Sequence, residues 1–336
     1  MPECATRIKA VKFYLARMDH DLIRQESAFH WGRHHDELLP LAEQWDRYFA
    51  TQPSGEDNPH LALDVVEPAL RRLINLESVC LTWTECPWTT LEDVGRWFDD
   101  ELSVDLAGEE PRNLQRVVFD VLRSYKVPLK SLTMQPLVLQ MASSLSAQDD
   151  LADTSFGTLT QLRLEVEGNE SAGNNQLENF ILLMPLLREL QIHAFRESWR
   201  PVDARFLPNS HLDHLESLDL YDAHLCLDGL ASFFVSHRST LRHISLRSMR
   251  GLVNFGRPPS MTWELLFELM NQRLENLETV HIAGFFSQKD ERKCMKTTWI
   301  VLRGNSLKLE HHVESSKVER YIMEGGQCPR LNWAIA

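Results

Sequence analysis

Apolar residues return along this chain in one short alternating pattern, L-x-x-L-x-L. It begins at Leu76 (LESVCL), Leu129 (LKSLTM), Leu159 (LTQLRL), Leu187 (LRELQI), Leu215 (LESLDL), Leu241 (LRHISL) and Leu277 (LETVHI), with a weaker copy, IKAVKF, at Ile8. The end of each copy alternates apolar and polar, the period of a strand with one buried face. Between copies the period changes to about 3.6, that of an amphipathic helix. NLQRVVFDVLRSY sets Leu114, Val117, Val118, Val121, Leu122 and Tyr125 on one stripe. LASFFVSH offers Leu230, Phe233 and Phe234, and MTWELLFELMNQRL offers Trp263, Leu266, Phe267, Met270 and Leu274, with Thr262 placed to cap it. Thr89 and Glu92 open a further segment at capping-box spacing. Each unit therefore predicts a short strand, a turn and a returning helix.

Counted from Leu76, the starts lie 53, 30, 28, 28, 26 and 36 residues apart. Internal periods of about 20–50 residues point to a solenoid, because one such unit cannot bury its leucine side alone and stacked neighbours can. The pattern resembles the leucine-rich repeat in its longer, helix-containing form. That resemblance implies an α/β horseshoe with a concave parallel sheet, convex helices and irregular repeats of about 26–36 residues. The family's turn Asn or Cys, three residues after the third apolar position, is replaced here by Thr84, Leu137, Glu167, Phe195, Ala223, Met249 and Phe285. Varied turns are expected in place of a regular polar ladder. The expected organisation is an N-terminal capping region (1–75), a solenoid (76–286) with an insertion at about 84–128, and a C-terminal capping region (287–336). The insertion carries two helical patterns, Thr89–Glu101 and Asn113–Tyr125.

TLRHISLRSM, a Trp-led TWELLFELM and then LENLETVHIAGF look like the repeat region of fungal F-box proteins, and VERYIMEGGQCPRL is similar to the tail that closes those chains. The resemblance spans roughly residues 60–330. It implies substrate capture by the repeats for a cullin-type ubiquitin ligase, whose adaptor docks on the F-box. Residues 1–60 do not present the family's Leu-Pro opening followed by three tight apolar helices. A cullin-ligase adaptor is thus expected as a partner only if another docking module exists.

Charge narrows the partners. With 48 acidic against 35 basic residues and a net charge of −13, the chain lacks the basic surface that nucleic acid requires. No run reaches the roughly 18–20 apolar residues of a membrane span, and the charged opening MPECATRIKAVKFYLARMDHD is unlike a signal peptide. An intracellular protein, cytoplasmic or nuclear, is expected. Six cysteines without a CxxC pair suggest neither a disulfide framework nor zinc.

Candidate chemistry is sparse. His30 and His34, four apart in FHWGRHHDELL, would share a helical face as metal ligands do, with Asp36 or Glu37 beside them; Gly32 weakens that helix. A metal-dependent or other enzyme built on this segment is one alternative, and a structural subunit of a larger assembly is another. Gly325-Gly326-Gln327 matches the tripeptide of peptide-release factors but reads better as a glycine stop after VERYIME. No GxSxG, P-loop or GxGxxG occurs, and no pattern calls for a cofactor. The more informative set is the alternate side of the strands: Thr133, Gln135, Arg163, Glu165, Gln191, His193, Asp219, Tyr221, Ser245, Arg247 and His281. These residues are the expected contact surface of a non-enzymatic protein-binding module. The insertion, with Trp83, Trp88 and Trp97, is the rival surface.

Overall fold

Every L-x-x-L-x-L copy becomes a parallel strand because its leucines need a common buried side that only neighbouring copies supply. The computed structural model describes residues 7–14, 67–73, 75–82, 109–125, 127–137, 155–167, 176–195, 211–252, 261–290, 296–303, 312–331 and 334–335. The strands are β1 (Ala10–Tyr14), β2 (Ser78–Thr82), β3 (Ser131–Leu137), β4 (Gln161–Glu167), β5 (Glu189–Phe195), β6 (Ser217–Tyr221), β7 (His224–Cys226), β8 (His243–Arg247), β9 (Arg250–Leu252), β10 (Thr279–Asp290), β11 (Lys296–Arg303), β12 (His312–Glu314) and β13 (Ala334–Ile335). Among the described residues, 67–71 are helical, and the further helices are α1 (Glu109–Tyr125), α2 (Gln176–Leu182), α3 (Leu227–Ser236), α4 (Trp263–Arg273) and α5 (Ser315–Glu324). They form a mixed α/β protein around a largely parallel sheet, with main order β1-β2-β3-β4-β5-β6-β8-β10-β11-β12. The weak copy at Ile8 supplies β1, paired in parallel with β2. Asn113–Tyr125 lies within α1. Thr89–Glu101 and the three tryptophans at 83, 88 and 97 lie outside the described residues.

Equivalent residues of successive copies meet in register. Leu132, Leu162, Leu190, Leu218 and Ile244 form one row, and Met134, Leu164, Ile192, Leu220, Leu246 and Ile282 the next. None of them is more than 2% exposed. At about 1.5–3 kcal/mol for each fully buried large aliphatic side chain, these rows are the main source of cohesion between copies. Between sheet and helices the core continues into a ring triangle of Phe119, Phe156 and Phe180, with centroids 5.8, 5.9 and 6.0 Å apart.

Backbone polar groups repeat with the same period. The N–H groups of Glu77 and Ser78 both donate to Lys9 O, and the next pair to Glu77 O. The carbonyls of Lys130, Thr160, Arg188, Glu216 and Arg242 then each take a like pair from the following copy. The backbone donors of these turns are thus satisfied by the carbonyl of the preceding copy. The side chains at this position are Lys9, Glu77, Lys130, Thr160, Arg188, Glu216, Arg242 and Glu278, a row of mostly alternating charge. Glu77 pairs with Lys9 at 2.9 Å and Lys130 at 2.8 Å, Arg188 with Glu216 at 3.3 Å, and Arg242 with Glu278. Hydrogen bonds from Lys130 and Lys9 hold the Glu77 carboxyl at about 2, below its ordinary 4.5. Because the folded value is depressed, these pairs stabilise the fold fully above pH ~4.5 and are lost as the pH falls toward ~2. Melting curves between pH 5 and 2 are therefore expected to fall less steeply for Glu77→Gln than for the wild type, and high salt should narrow the difference.

The turns that lack the family's Asn or Cys are built differently. After β6, β8 and the first half of β10, the residues Asp222, Ser248 and Gly284 take positive φ values of 51°, 55° and 89°. Each turns the strand through a corner, after which β7, β9 and the second half of β10 make a second parallel set. Ala223 and Met249, next after two of these corners, are fully buried, as is Leu137 to within 1%. Apolar plugs thus stand at these positions, in keeping with the varied turns expected in place of a polar ladder. The third corner departs from this: Phe285 is 36% exposed and Phe286 is buried in its place, because β10 runs on and pairs antiparallel with β11. A Cβ on Gly284 would lie 2.4 Å from Ser248 Oγ and 3.0 Å from Ser248 N. Gly284→Ala is expected to cost about 2–3 kcal/mol, from the left-handed backbone and the clash together, measured as a shift in urea midpoint.

Two terminal features match the residues that predicted them. Thr262 caps α4, its hydroxyl accepting from Leu265 N–H at 3.3 Å. Gly325, with φ +80°, ends α5 by donating to Tyr321 O, and Asn271 Nδ2 donates to Tyr321 O and Ile322 O.

Candidate functional site

Strand alternation places the side chains opposite the leucines on one polar face, and strand register orders them into rows. Thr133, Arg163, Gln191, Asp219, Ser245 and His281 are successive partners across β3, β4, β5, β6, β8 and β10. Glu165, His193, Tyr221 and Arg247 form the adjoining row. Gln135 pairs with Thr82 of β2 on one side, and on the other it falls where the β3–β4 register shifts. All eleven expected residues therefore share one face. The same alternation in the Leu76 copy adds Cys80 and Thr82, register partners of Thr133 and Gln135.

The rows differ in what they can do. In the second row the His193 and Tyr221 rings lie 4.4 Å apart at 31°, and the Arg247 guanidinium sits 5.0 Å from the Tyr221 ring centre. Arg247 also donates from Nη2 to Asp219 Oδ2 at 2.8 Å, a diagonal pair between β6 and β8. His193 Nδ1 is 3.8 Å from Glu165 Oε1. The outcome is a continuous run of side chains over four strands, Glu165–His193–Tyr221–Arg247, with Asp219 closing its far end. Stacking an arginine on tyrosine stiffens both at about 0.5–1 kcal/mol. Asp219 Oδ1 and Arg247 Nε lack hydrogen-bond partners among the described residues.

These residues differ in how far they are covered. Glu165 is 2% exposed, Gln135 5% and Thr82 0%. Burial is confined to the second row at its β2–β4 end: in the first row Cys80 and Thr133 are half-buried and Arg163 is exposed, and toward β6, β8 and β10 Asp219, Tyr221, Ser245 and Arg247 are half-buried and His281 exposed. Alternation fixes which side a residue faces; it carries no information on how far that side is covered. His281 belongs to the open edge, its Nδ1 3.4 Å from Glu319 Oε1 of α5. That carboxylate oxygen also accepts from Ile282 N–H at 2.9 Å. Glu319 is a neighbour the strand pattern could not supply.

His30 and His34 lie outside the described residues, and among the described residues no three His, Cys, Asp or Glu side chains converge as a metal ion would need. No described helix is long and apolar enough to cross a membrane. Compared with known proteins, the chain matches no protein-family model and no curated sequence.

Proposed function

We propose that the chain is a leucine-rich-repeat-like solenoid that binds another protein, without catalysis, through the open end of its polar face. The observation that carries this reading is the Arg247–Tyr221–His193 stack with its Asp219 partner. Aromatic and arginine side chains concentrate binding energy at interfaces, and these are already ordered by contact with each other, so less ordering entropy opposes association. The parallel strands space them at about 4.8 Å, a fixed array for a partner to meet. The unfilled hydrogen-bonding capacity of Asp219 and Arg247 leaves the pair able to gain contacts if the stack repacks on binding. Resemblance to the repeat region of fungal F-box proteins extends the proposal to substrate capture for a ubiquitin ligase.

Affinity capture of the tagged full chain from its native cells, beside Asp219→Ala/Tyr221→Ala/Arg247→Ala, tests the reading. The expected result is a protein held stoichiometrically by the wild type and lost from a variant that melts normally. A partner retained by the variant sinks the surface assignment. Co-purification of a cullin adaptor would favour the ligase extension, and a partner without the adaptor would favour simple binding.

A further inference from the structure

Successive copies are joined not only through the sheet but also, before β4, β6 and β10, by side-chain clasps between turns. Thr158 Oγ1 donates to Leu129 O at 2.9 Å, and Asn276 Nδ2 donates to Ser239 O at 2.9 Å. Between these, the turn before β6 is held by His237, which ends α3: Leu212 N–H donates to His237 Nε2 at 2.9 Å. Hydroxyl and carboxamide clasps do not titrate near neutral pH. The imidazole clasp does.

We propose that His237 is an acid-sensitive clasp, closed while its ring is neutral and opened by protonation, that controls how firmly the turn leading into β6 is held to the end of α3. The polarity of the bonds requires it. Nε2 accepts from Leu212 N–H, so the ring proton is on Nδ1, which lies 2.8 Å from Phe233 O and donates to it. Ser236 Oγ, 2.9 Å from Nδ1, donates to the same carbonyl. A second ring proton can bind only at Nε2, where it faces an N–H donor and removes the acceptor that Leu212 uses. The ring is fully buried, so water cannot replace that acceptor without the turn moving.

The charged and titratable groups facing His237 are His211 and Asp213, both on the turn it clasps. The His211 ring lies 4.7 Å away by centroid, and His211 Nε2 is 3.7 Å from Asp213 Oδ1. Burial, then the neighbouring His211, lower the His237 value below 6.5, opposed by the bond to Phe233 O and by Asp213. A depressed folded value means the unfolded ring takes its proton first. The clasp's contribution is therefore complete above pH ~6.5 and declines as the pH falls through the folded value.

The turn at Leu212 leads through Leu215 into β6, which carries Asp219 and Tyr221, and β8 with Arg247 follows His237. An opened clasp loosens the stretch between the two strands that hold the Asp219–Arg247 pair. The clasp stands on its own geometry, whereas an effect on binding rests on the function proposed above.

Amide hydrogen exchange of the full chain from pH 7.5 to 4.5, corrected for intrinsic rates, tests the clasp without any partner. In the wild type, protection at Leu212 is expected to fall by up to about tenfold per pH unit between pH ~6.5 and the lower folded His237 value and to level off below it, while Leu187 and Leu277, in turns without a histidine clasp, stay flat. His237→Gln offers a carboxamide oxygen near the Nε2 position, and its Leu212 protection is expected not to change with pH. Flat protection in the wild type, or the same fall in the variant, overturns the proposal. Should the variant fail to fold, ring-nitrogen NMR of the wild type decides: Nε2 protonation that leaves the Leu212 amide unmoved refutes the clasp, and a concerted shift of both supports it. Partner binding measured across the same pH range then tests the coupling alone.

Discussion

Trp263→Ala is expected to destabilise the protein by about 3–5 kcal/mol, as usual for a fully buried aromatic truncated to alanine. Trp263 is 0% exposed and opens α4 directly after the Thr262 cap. Its ring meets Phe286 edge-on at 4.9 Å and Phe267 at 5.9 Å. Its Nε1–H donates to Ser287 O at 3.0 Å, and its backbone N–H donates to Gln288 Oε1 at 3.1 Å. One side chain thus fixes α4 to the β10 segment beyond the Gly284 corner. Alanine there leaves a cavity and removes the indole hydrogen bond to Ser287 O. Trp263→Phe keeps most of the packing and loses only the indole bond, so about 1–2 kcal/mol is expected. Urea unfolding of both variants checks the two values; an alanine loss no larger than the phenylalanine loss would show that the packing contributes little.

The second large effect concerns binding. Arg247→Ala and Tyr221→Ala are each expected to weaken the captured partner by about 30-fold or more, equivalent to about 2 kcal/mol, as for a central hot-spot residue. Arg247 contacts both Asp219 and the Tyr221 ring, so its removal releases two neighbours at once. Arg247→Lys keeps the charge but not the planar stack or the fork, and should recover only part of the affinity. His281→Ala, at the exposed edge with 59% of its side chain accessible, should change affinity by less than about threefold, as a rim contact does. The fold tolerates these changes: the Asp219–Arg247 pair is about one-third exposed, so screening limits the stability cost of Arg247→Ala to about 1 kcal/mol. Equilibrium titration beside thermal melting separates the two effects.

Much of this was legible in the leucines. Leu215, Leu218 and Leu220 gave both the strand and its buried side, and even the weak IKAVKF copy proved to be the first strand, because alternation and stacking are local rules repeated. Caps were equally readable, as Thr262 and Gly325 show, since one residue type solves each problem. Features that depend on several copies at once were not. Asp222 and Ser248 hold positive φ without being glycine, so nothing at either position marks a corner; Gly284 alone hints at it. The alternating charges of Glu77, Lys130, Glu216 and Arg242 look like ordinary surface polarity until register sets them side by side. His237 gave no signal beyond an apolar neighbourhood, because its partner Leu212 is 25 residues away. For the site, alternation named the face and every residue expected on it, whereas the burial of Gln135 and Glu165 at one end depends on tertiary cover.

The central claim, that the open polar face is the binding surface, is tested most directly by a hydrogen-exchange footprint of the captured partner on the intact chain. The account predicts new protection concentrated at 217–221, 243–247 and 279–283, the strand segments that carry Asp219, Tyr221, Ser245, Arg247 and His281. Protection confined to the tryptophan-bearing 83–108, with these strands unchanged, would contradict it and transfer the binding surface to the insertion.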